Sequence, residues 1–467
     1  MAVWTPSGST ASPREDQVAW SREHTFDWQS GRYEQDQPNN GGLSHTPALR
    51  VPKEGIRYWN PLDFKKSIFS DPEFQNRVDI ETNSDLTAND LVEILSDGEA
   101  FPMTLDLASN AKRFFFAQVL TVSCDSTTEP LFKVLEKKAA SGVDVRLLLN
   151  GNFSWFNDSC RSRLEKAGIH LATGKVHGSY LVTDQGELMI GSENWNHMNF
   201  TAPGDQKGDR DQMLFVKGPA ATDAVGDFLG LWESMSDWPL TDLKNNRRWF
   251  LQQRLNETKL HQRGAENYGA WLKNSRGPQK LCRFVAQRPQ EHIENLRTLL
   301  NLFIDESKDH IIFSEVGPQF SLKGIEVRPD SILSHLLLRY LPVDEITNGF
   351  YGADGELTMA FDESPWAHWL GFLRDWDARR ASKARTQRFA VISQWPQYTV
   401  WMYFRFLHYK TWVFDDNAFF IGSSNVEDGL LAQNSEAGLL CHDETLKGAL
   451  DKILVLDMYN SIPLVKK

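Results

Sequence analysis

"HYKTWVFDDNAFFIGSSN", His408 to Asn425, sets a histidine and a lysine two positions apart, an aspartate five positions beyond the lysine, and then a Gly-Ser-x-Asn turn. "HGSYLVTDQGELMIGSEN", His177 to Asn194, repeats the spacing, with Ser179 where the later segment has Lys410. In extended chain, residues i and i+2 point to one side, so His408 shares a face with Lys410, and His177 with Ser179. "NAFFIGSSN" and "ELMIGSEN" read as strands that end in the turn. There Ser423 and Asn425, like Ser192 and Asn194, can hydrogen-bond a phosphate or orient a histidine. A lone His near a Lys says little, but so many fixed positions do not recur by chance. A chain of 467 residues is also too long for one ordinary core. The repeat therefore reads as two similar lobes, each supplying one histidine.

The pattern before the first motif is α/β. "RFFFAQVLTVSC" (113–124) and "VDVRLLLNG" (143–151) are buried-strand runs. Between them "TEPLFKVLEKKAASG" (128–142) is an amphipathic helix ended by Gly142, so the unit is a right-handed parallel crossover. "CRSRLEKAGIHL" (160–171) repeats the helix-to-strand step. "LTANDLVEILSDG" (86–98) has a threonine cap and helical apolar spacing, which predicts a helix. After Leu281 the order recurs: a helix in "EHIENLRTLLNLFIDES" (291–307), a strand in "HIIFSEVG" (310–317), and further strands in "RFAVISQW" (388–395) and "YTVWMYFRFLHYKTWVFDD" (398–416). An irregular insertion is expected around 340–385.

The expected organisation is a disordered leader over 1–50, rich in Ser, Pro, Gln, Asn and Gly, then an N-terminal lobe over 51–240. A charged connector over 241–280 follows, and a C-terminal lobe over 281–467. The basic residues and Trp249/Phe250 of the connector suit a membrane surface or nucleic acid, but a solvated linker helix accounts for them more simply. Phe153, Trp155 and Phe156 follow a strand end and suit either an apolar rim for acyl chains or ordinary loop packing.

Composition narrows the function classes. A net charge of −12 opposes general attraction to polyphosphate and argues against a nucleic-acid partner. The four cysteines lie far apart with no C-x-x-C pair, which argues against a zinc knuckle and fits a reducing compartment, with a disulfide left open as the alternative. "MAVWTPSGSTASPRED" has no apolar core behind a basic start, and no run approaches 18 apolar residues. The expected location is cytoplasmic or at a membrane surface.

Both quoted segments resemble the H-x-K-x4-D signature of the phospholipase D superfamily. The second is complete, with His408, Lys410, Asp415, Gly422, Ser423 and Asn425; the first keeps His177, Asp184, Gly191, Ser192 and Asn194. "RDQMLFVKGPAATDAVGDFLGLW" (210–232) is similar to the stretch that follows the first motif in bacterial cardiolipin synthases, and "AQNSEAGLL" (432–440) to one after the second. Asp211 and Glu436 thus stand where the family places an acidic residue near a catalytic histidine. The resemblance covers nearly the whole chain after residue 50.

It implies an α/β fold of two phospholipase D-like lobes, each a mixed β-sheet flanked by helices. The lobes are related by a pseudo-twofold axis, and their motifs meet in one site. One histidine attacks phosphorus and the other protonates the leaving alcohol; the family's usual order makes His177 the nucleophile and His408 the acid. The implied catalytic set is His177, His408, Lys410, Asp184, Asp415, Asp211 and Glu436. Ser179, Ser192, Asn194, Ser423, Asn425 and Lys175 are the candidate phosphate contacts. No metal or cofactor is implied, because lysine, hydroxyl and amide groups neutralise the phosphoryl oxygens. The implied substrate is a phospholipid, met by peripheral membrane contact. The alternatives are a nuclease of the same chemistry and a catalytically impaired lipid- or phosphate-binding relative.

Ser179 motivates that last alternative. Losing one preorganised donor at a transition state costs about 3 kcal/mol, roughly a hundredfold in rate. Lys175 lies two residues before His177, about 7 Å along an extended chain. It is expected either to replace the missing ammonium in part or to be an ordinary solvated lysine.

Overall fold

The computed structural model describes residues 67–151, 158–197, 199–200, 210–235, 280–315, 331–339, 341–348, 397–403, 407–415, 417–425 and most of 431–463, with short ladders within 26–33 and 322–327. Nearly all of the expected leader and of the connector, the aromatic rim and the "RFAVISQW" strand lie outside the described residues.

Helix α1 (Pro72–Thr82) and strand β1 (Thr87–Ala88) come first. Strands β2 (Leu91–Ser96), β3 (Phe114–Val119), β4 (Asp144–Asn150), β5 (His170–Gly174), β6 (Tyr180–Thr183), β7 (Glu187–Gly191) and β8 (Gln212–Lys217) then form one mixed sheet in the order β2-β8-β7-β6-β3-β4-β5. Helices α2 (Ala100–Asn110), α3 (Glu129–Ala140) and α4 (Asp158–Lys166) cover its outer face; α5 (Pro219–Met235) packs on the inner face. The second sheet contains β9 (Leu281–Gln287), β10 (Ile311–Glu315), β11 (Val343–Asn348), β12 (Tyr398–Tyr403), β13 (Lys410–Phe414), β14 (Ala418–Gly422), β15 (Glu436–His442) and β16 (Ser461–Pro463). Its order is β16-β12-β11-β10-β13-β14-β15-β9-β1. Helices α6 (Asn295–Glu306) and α7 (Ile332–Leu338) lie on its outer side.

Read from β9 to β12, the second sheet repeats the seven-strand order of the first, strand for strand. Both have three parallel neighbours (β3-β4-β5 and β10-β11-β12) and antiparallel pairs elsewhere. The lobes are therefore copies of one topology, each a mixed sheet flanked by helices. Their inner faces share one core, with Phe116, Tyr180 and Ile190 from the first sheet and Val413, Ile421 and Leu439 from the second. Phe228 and Trp232 of α5 lie in the same cluster. That shared apolar layer fixes the lobes against each other, since each fully buried side chain of this size contributes about 1.5–3 kcal/mol.

The structure differs from the sequence reading in four places. The expected helix over 86–98 is instead β1 and β2. Leu91–Ser96 pairs antiparallel with Gln212–Lys217, and Val92 and Leu95 enter different core clusters. Short apolar runs with β-branched residues fit both periods, and the partner strand decides. Residues 67–88, expected in the first lobe, join the second. Thr87–Ala88 pairs with β9, and Phe69, Phe74 and Val78 sit in the second sheet's outer core. The fully buried Arg283 fastens this segment, donating to Gln75 at 2.8 Å and to the Ser84 carbonyl at 2.9 Å and pairing with Asp79. Within the expected insertion, Val343–Asn348 is a core strand, the counterpart of β4. The four cysteines, whose spacing fits a reducing compartment but leaves a disulfide open, form two disulfides. Cys124–Cys160 ties the segment after β3 to α4, and Cys282–Cys441 joins facing residues of β9 and β15. The cysteines therefore give no support for a reducing compartment. No helix among the described residues is long and apolar enough to cross a membrane.

Candidate active site

Each motif folds as a hairpin that ends at the lobe interface. In β13 and β14, Lys410 faces Gly422; in the first lobe the Gly191 N–H donates to the Ser179 carbonyl at 3.0 Å. Glycine is required at both turns by close approach of the next strand. A Cβ on Gly191 would fall 2.1 Å from the Gln212 carbonyl oxygen, and one on Gly422 2.8 Å from that of Ala437.

The histidines are held crosswise. The N–H groups of His177 and Gly178 both donate to the Ser435 carbonyl at 2.9 Å, and those of His408 and Tyr409 donate to the Arg210 carbonyl at 2.8 and 3.0 Å. Ser435 and Arg210 each stand immediately before a carboxylate. His177 Nδ1 lies 2.8 Å from Glu436 Oε1, and His408 Nδ1 lies 2.8 Å from Asp211 Oδ1. The first lobe's histidine is thus oriented by the second lobe's carboxylate, and the reverse. Facing a carboxylate, Nδ1 is the ring nitrogen that holds the proton of a neutral imidazole. Asp211 and Glu436 are buried, whereas the histidine side chains keep 11% and 14% of their surface exposed.

The two Gly-Ser hydroxyls support these carboxylates instead of reaching for a ligand. Ser192 Oγ donates to Asp211 at 2.7 Å, and Ser423 Oγ to Glu436 at 2.6 Å. Asn199, for which the sequence carries no signal, also donates to Asp211. Burial opposes ionisation of Asp211, but the His408 contact, with help from Lys410 and Ser192, holds its carboxyl below the usual range. His408 is pushed below the ordinary imidazole range by burial and then by Lys410, against the pull of Asp211. His177 adds to that push, so the two rings feel each other's charge.

Lys410 is buried, with Nζ 2.6 Å from the His408 carbonyl oxygen. Its counterpart Ser179 is also buried, and its hydroxyl donates to the Glu193 carbonyl. Gly178 and Gln118 exchange volume with their counterparts Tyr409 and Ser314. Gln118 runs under Gly178, where a Cβ would meet its amide at 2.1 Å. Glu193 is buried with Oε1 lacking a hydrogen-bond partner, and burial, with Asp211 nearby, pushes its carboxyl well above the usual range.

The remaining expectations divide. Asn194 is buried and spends Oδ1 on the Thr121 N–H at 3.1 Å. Asn425 is half-buried with Oδ1 enclosed. The Lys175 side chain is exposed, and its carbonyl accepts from Ser435 at 3.0 Å, which fits a solvated lysine. Asp184 and Asp415 do not join the site. Asp184 Oδ1 accepts the N–H groups of Lys112 and Arg113 at 2.8 and 3.0 Å; Asp415 accepts those of Lys308, Asp309 and His310 at 2.7, 2.8 and 3.1 Å. Each lies past the far end of its strand and fastens the chain entering the central strand, β3 or β10. Both motif aspartates thus brace backbone N–H groups ahead of a strand, Lys112 and Arg113 in one lobe matching Asp309 and His310 in the other.

Residues 105–232 match the family model described as cardiolipin synthase, PLD-like domain, which spans the first motif. A search of curated protein sequences finds no significant match. Among solved structures, phosphatidylserine synthase from Haemophilus influenzae Rd KW20 is similar at 15% identity, over 84% of this chain and 92% of that one, with a TM-score of 0.54. Polyphosphate kinase from Porphyromonas gingivalis is similar at 12% identity over 80% and 50% of the two chains, with a TM-score of 0.48. The phospholipase D family member Nuc from Salmonella typhimurium is similar at 18% identity over 32% and 97%, with a TM-score of 0.26.

Proposed function

We propose that this phospholipase D-like chain is a phosphodiesterase or phosphatidyltransferase that acts on phospholipids through a phosphohistidine. The observation that carries the reading is the pair of crossed His–carboxylate contacts, each 2.8 Å, at the seam between duplicated lobes. Two imidazoles, each with Nδ1 2.8 Å from a carboxylate oxygen, supply the nucleophile and the acid that a two-step displacement at phosphorus needs.

Following the family's usual order, His177 Nε2 attacks phosphorus and the P–O bond to the headgroup breaks. His408, entering as the imidazolium that Asp211 stabilises at Nδ1, gives its Nε2 proton to the leaving oxygen. Water or a second alcohol then attacks the phosphohistidine, its proton passes to His408, and the N–P bond breaks. Glu436 and Asp211 stabilise whichever ring is cationic, and Lys410 offsets the charge developing on the phosphoryl oxygens. No step calls on a metal, so the reaction should run in chelator. The family description of residues 105–232 supports a lipid substrate, and the net charge of −12 speaks against nucleic acid. A specific observation favours one second reading, a weakly active binder: Ser179 supplies no cation and has its hydroxyl committed to a backbone carbonyl.

The test is incubation with phosphatidylglycerol vesicles, phosphatidylcholine vesicles and single-stranded DNA in chelator, with His408→Ala as control. Headgroup release or lipid exchange that His408→Ala abolishes is expected. DNA cleavage alone would replace the lipid reading with a nuclease. Silence on all three, with vesicles bound, would favour the binder.

A further inference from the structure

The duplicated backbone treats the two histidines alike, but the side chains behind them differ. At His177, the residue whose carbonyl holds the backbone is Ser435, and the residue after the histidine is Gly178. At His408 the corresponding residues are Arg210 and Tyr409. Arg210 Nε and Nη2 donate to Asp457 Oδ1 at 3.1 and 3.0 Å, and the Tyr409 hydroxyl donates to Asp457 Oδ2. Asp457 is fully buried, Arg210 is buried, and Arg210 also pairs with Asp97. A closed ring results. Arg210 and Tyr409 are joined through the backbone on one side and through Asp457 on the other, and His408 and Asp211 are the chain neighbours of that ring.

We infer that Asp457, from the C-terminal segment, is a positioning residue that sets the contact between His408 and Asp211 through Arg210 and Tyr409. A turn of Arg210 moves the carbonyl that holds the His408 N–H and, one residue on, the carboxylate that receives its Nδ1. Tyr409 locks the same peptide from the histidine's side. With Asp457 in place neither can turn without the other. Such rigidity serves a ring whose nitrogen must meet a transferring proton to within a fraction of an ångström. Simple lobe clamping is already present elsewhere. Arg288 crosses from the second lobe to Asp227 of α5 at 2.6–2.8 Å, and Asp227 accepts from the Tyr180 hydroxyl at 2.7 Å. That second Arg–Asp–Tyr set touches neither histidine's backbone and serves as an internal control.

The experiment compares Asp457→Asn, Tyr409→Phe, Asp457→Glu and Asp227→Asn in the full chain. The first readout is the downfield imidazole N–H proton resonance of each histidine with its carboxylate, assigned with His408→Ala and His177→Ala. It needs no substrate, so it stands whether or not the lipid reading holds; only the kinetic readout rests on that reading. Asp457→Asn and Tyr409→Phe are expected to broaden or shift the His408 resonance and leave that of His177. They should lower kcat about tenfold or more with KM within twofold. Asp457→Glu should recover part of both signals, and Asp227→Asn should change neither resonance. Tyr409→Phe decides the question if Asp457→Asn does not fold. An unchanged His408 resonance in Tyr409→Phe would overturn the inference, as would equal losses at both histidines in Asp457→Asn and Asp227→Asn.

Discussion

Replacing the buried Asp211 by asparagine tests the crossed site directly. Oδ1 of Asp211 receives both Ser192 and His408, at 2.7 and 2.8 Å, while Asn199 donates to Oδ2. An amide placed in one orientation keeps the first two bonds but turns its NH2 toward that of Asn199. Placed in the other, it aims NH2 at His408 and forces the wrong ring tautomer. Both orientations lose the negative charge that stabilises the imidazolium. A unit charge 2.8 Å away contributes at most about 6 kcal/mol at an effective dielectric near 20. The comparable change in a Ser-His-Asp triad costs about 10⁴ in rate. Asp211→Asn should therefore lower kcat by roughly 10³–10⁴, or about 4–5.5 kcal/mol, with little change in KM. The assay is headgroup release from phosphatidylglycerol vesicles at saturating lipid, with a melting curve to show that the variant folds. A folded Asp211→Asn that loses less than tenfold would refute the assignment of Asp211 to His408.

Three further outcomes are expected. Lys410→Met, which removes the cation beside His408, should cost about 3 kcal/mol of transition-state stabilisation, a hundredfold in kcat in the same vesicle assay. Asp415→Ala strips the acceptor from three consecutive N–H groups and should lower unfolding free energy by about 2–4 kcal/mol in urea, with kcat per folded molecule within twofold of the parent. His442 is fully enclosed, bonded to the Asn417 carbonyl at 2.9 Å, and burial lowers its pKa to about 3 from an unfolded value near 6.5. The unfolded chain then binds the extra proton, so its contribution is complete above pH ~6.5 and is lost as pH falls toward 3. Two pH units below 6.5 the loss is roughly 2–3 kcal/mol. Urea titrations at pH 7 and 4.5 should show a smaller difference for His442→Gln than for the parent.

The sequence disclosed what local pattern controls. Phe114–Val119, Asp144–Asn150 and Ile311–Glu315 are short runs rich in apolar residues, and each is an almost wholly buried strand. The repeated His, Gly-Ser and Asn positions marked the two hairpins because their spacing is set by strand length and by the glycine that close approach demands. Asp211 and Glu436 were found through resemblance, but their exchange between lobes was not legible. Which carboxylate meets which ring is decided at an interface made by residues far apart in the chain. The same reason hides Asn199 and Asp457, and it sent residues 67–88 to the wrong lobe. Arg283, a charge inside a strand that reads as apolar, was the available hint that something acidic must come to meet it. The backbone bonds of Asp184 and Asp415 are not legible either, because a shared motif does not separate residues that do chemistry from residues that brace it.

The central claim is that the two lobes bring His177 and His408 to one phosphorus atom. Rapid acid-free quenching during turnover of phosphatidylglycerol, followed by peptide mass spectrometry, tests it directly. A phosphatidyl adduct on the His177 peptide is expected, absent in His177→Ala and accumulating in His408→Ala if the first step still proceeds; an adduct on His408 instead would exchange the two roles. Full turnover with neither histidine ever modified would contradict the account.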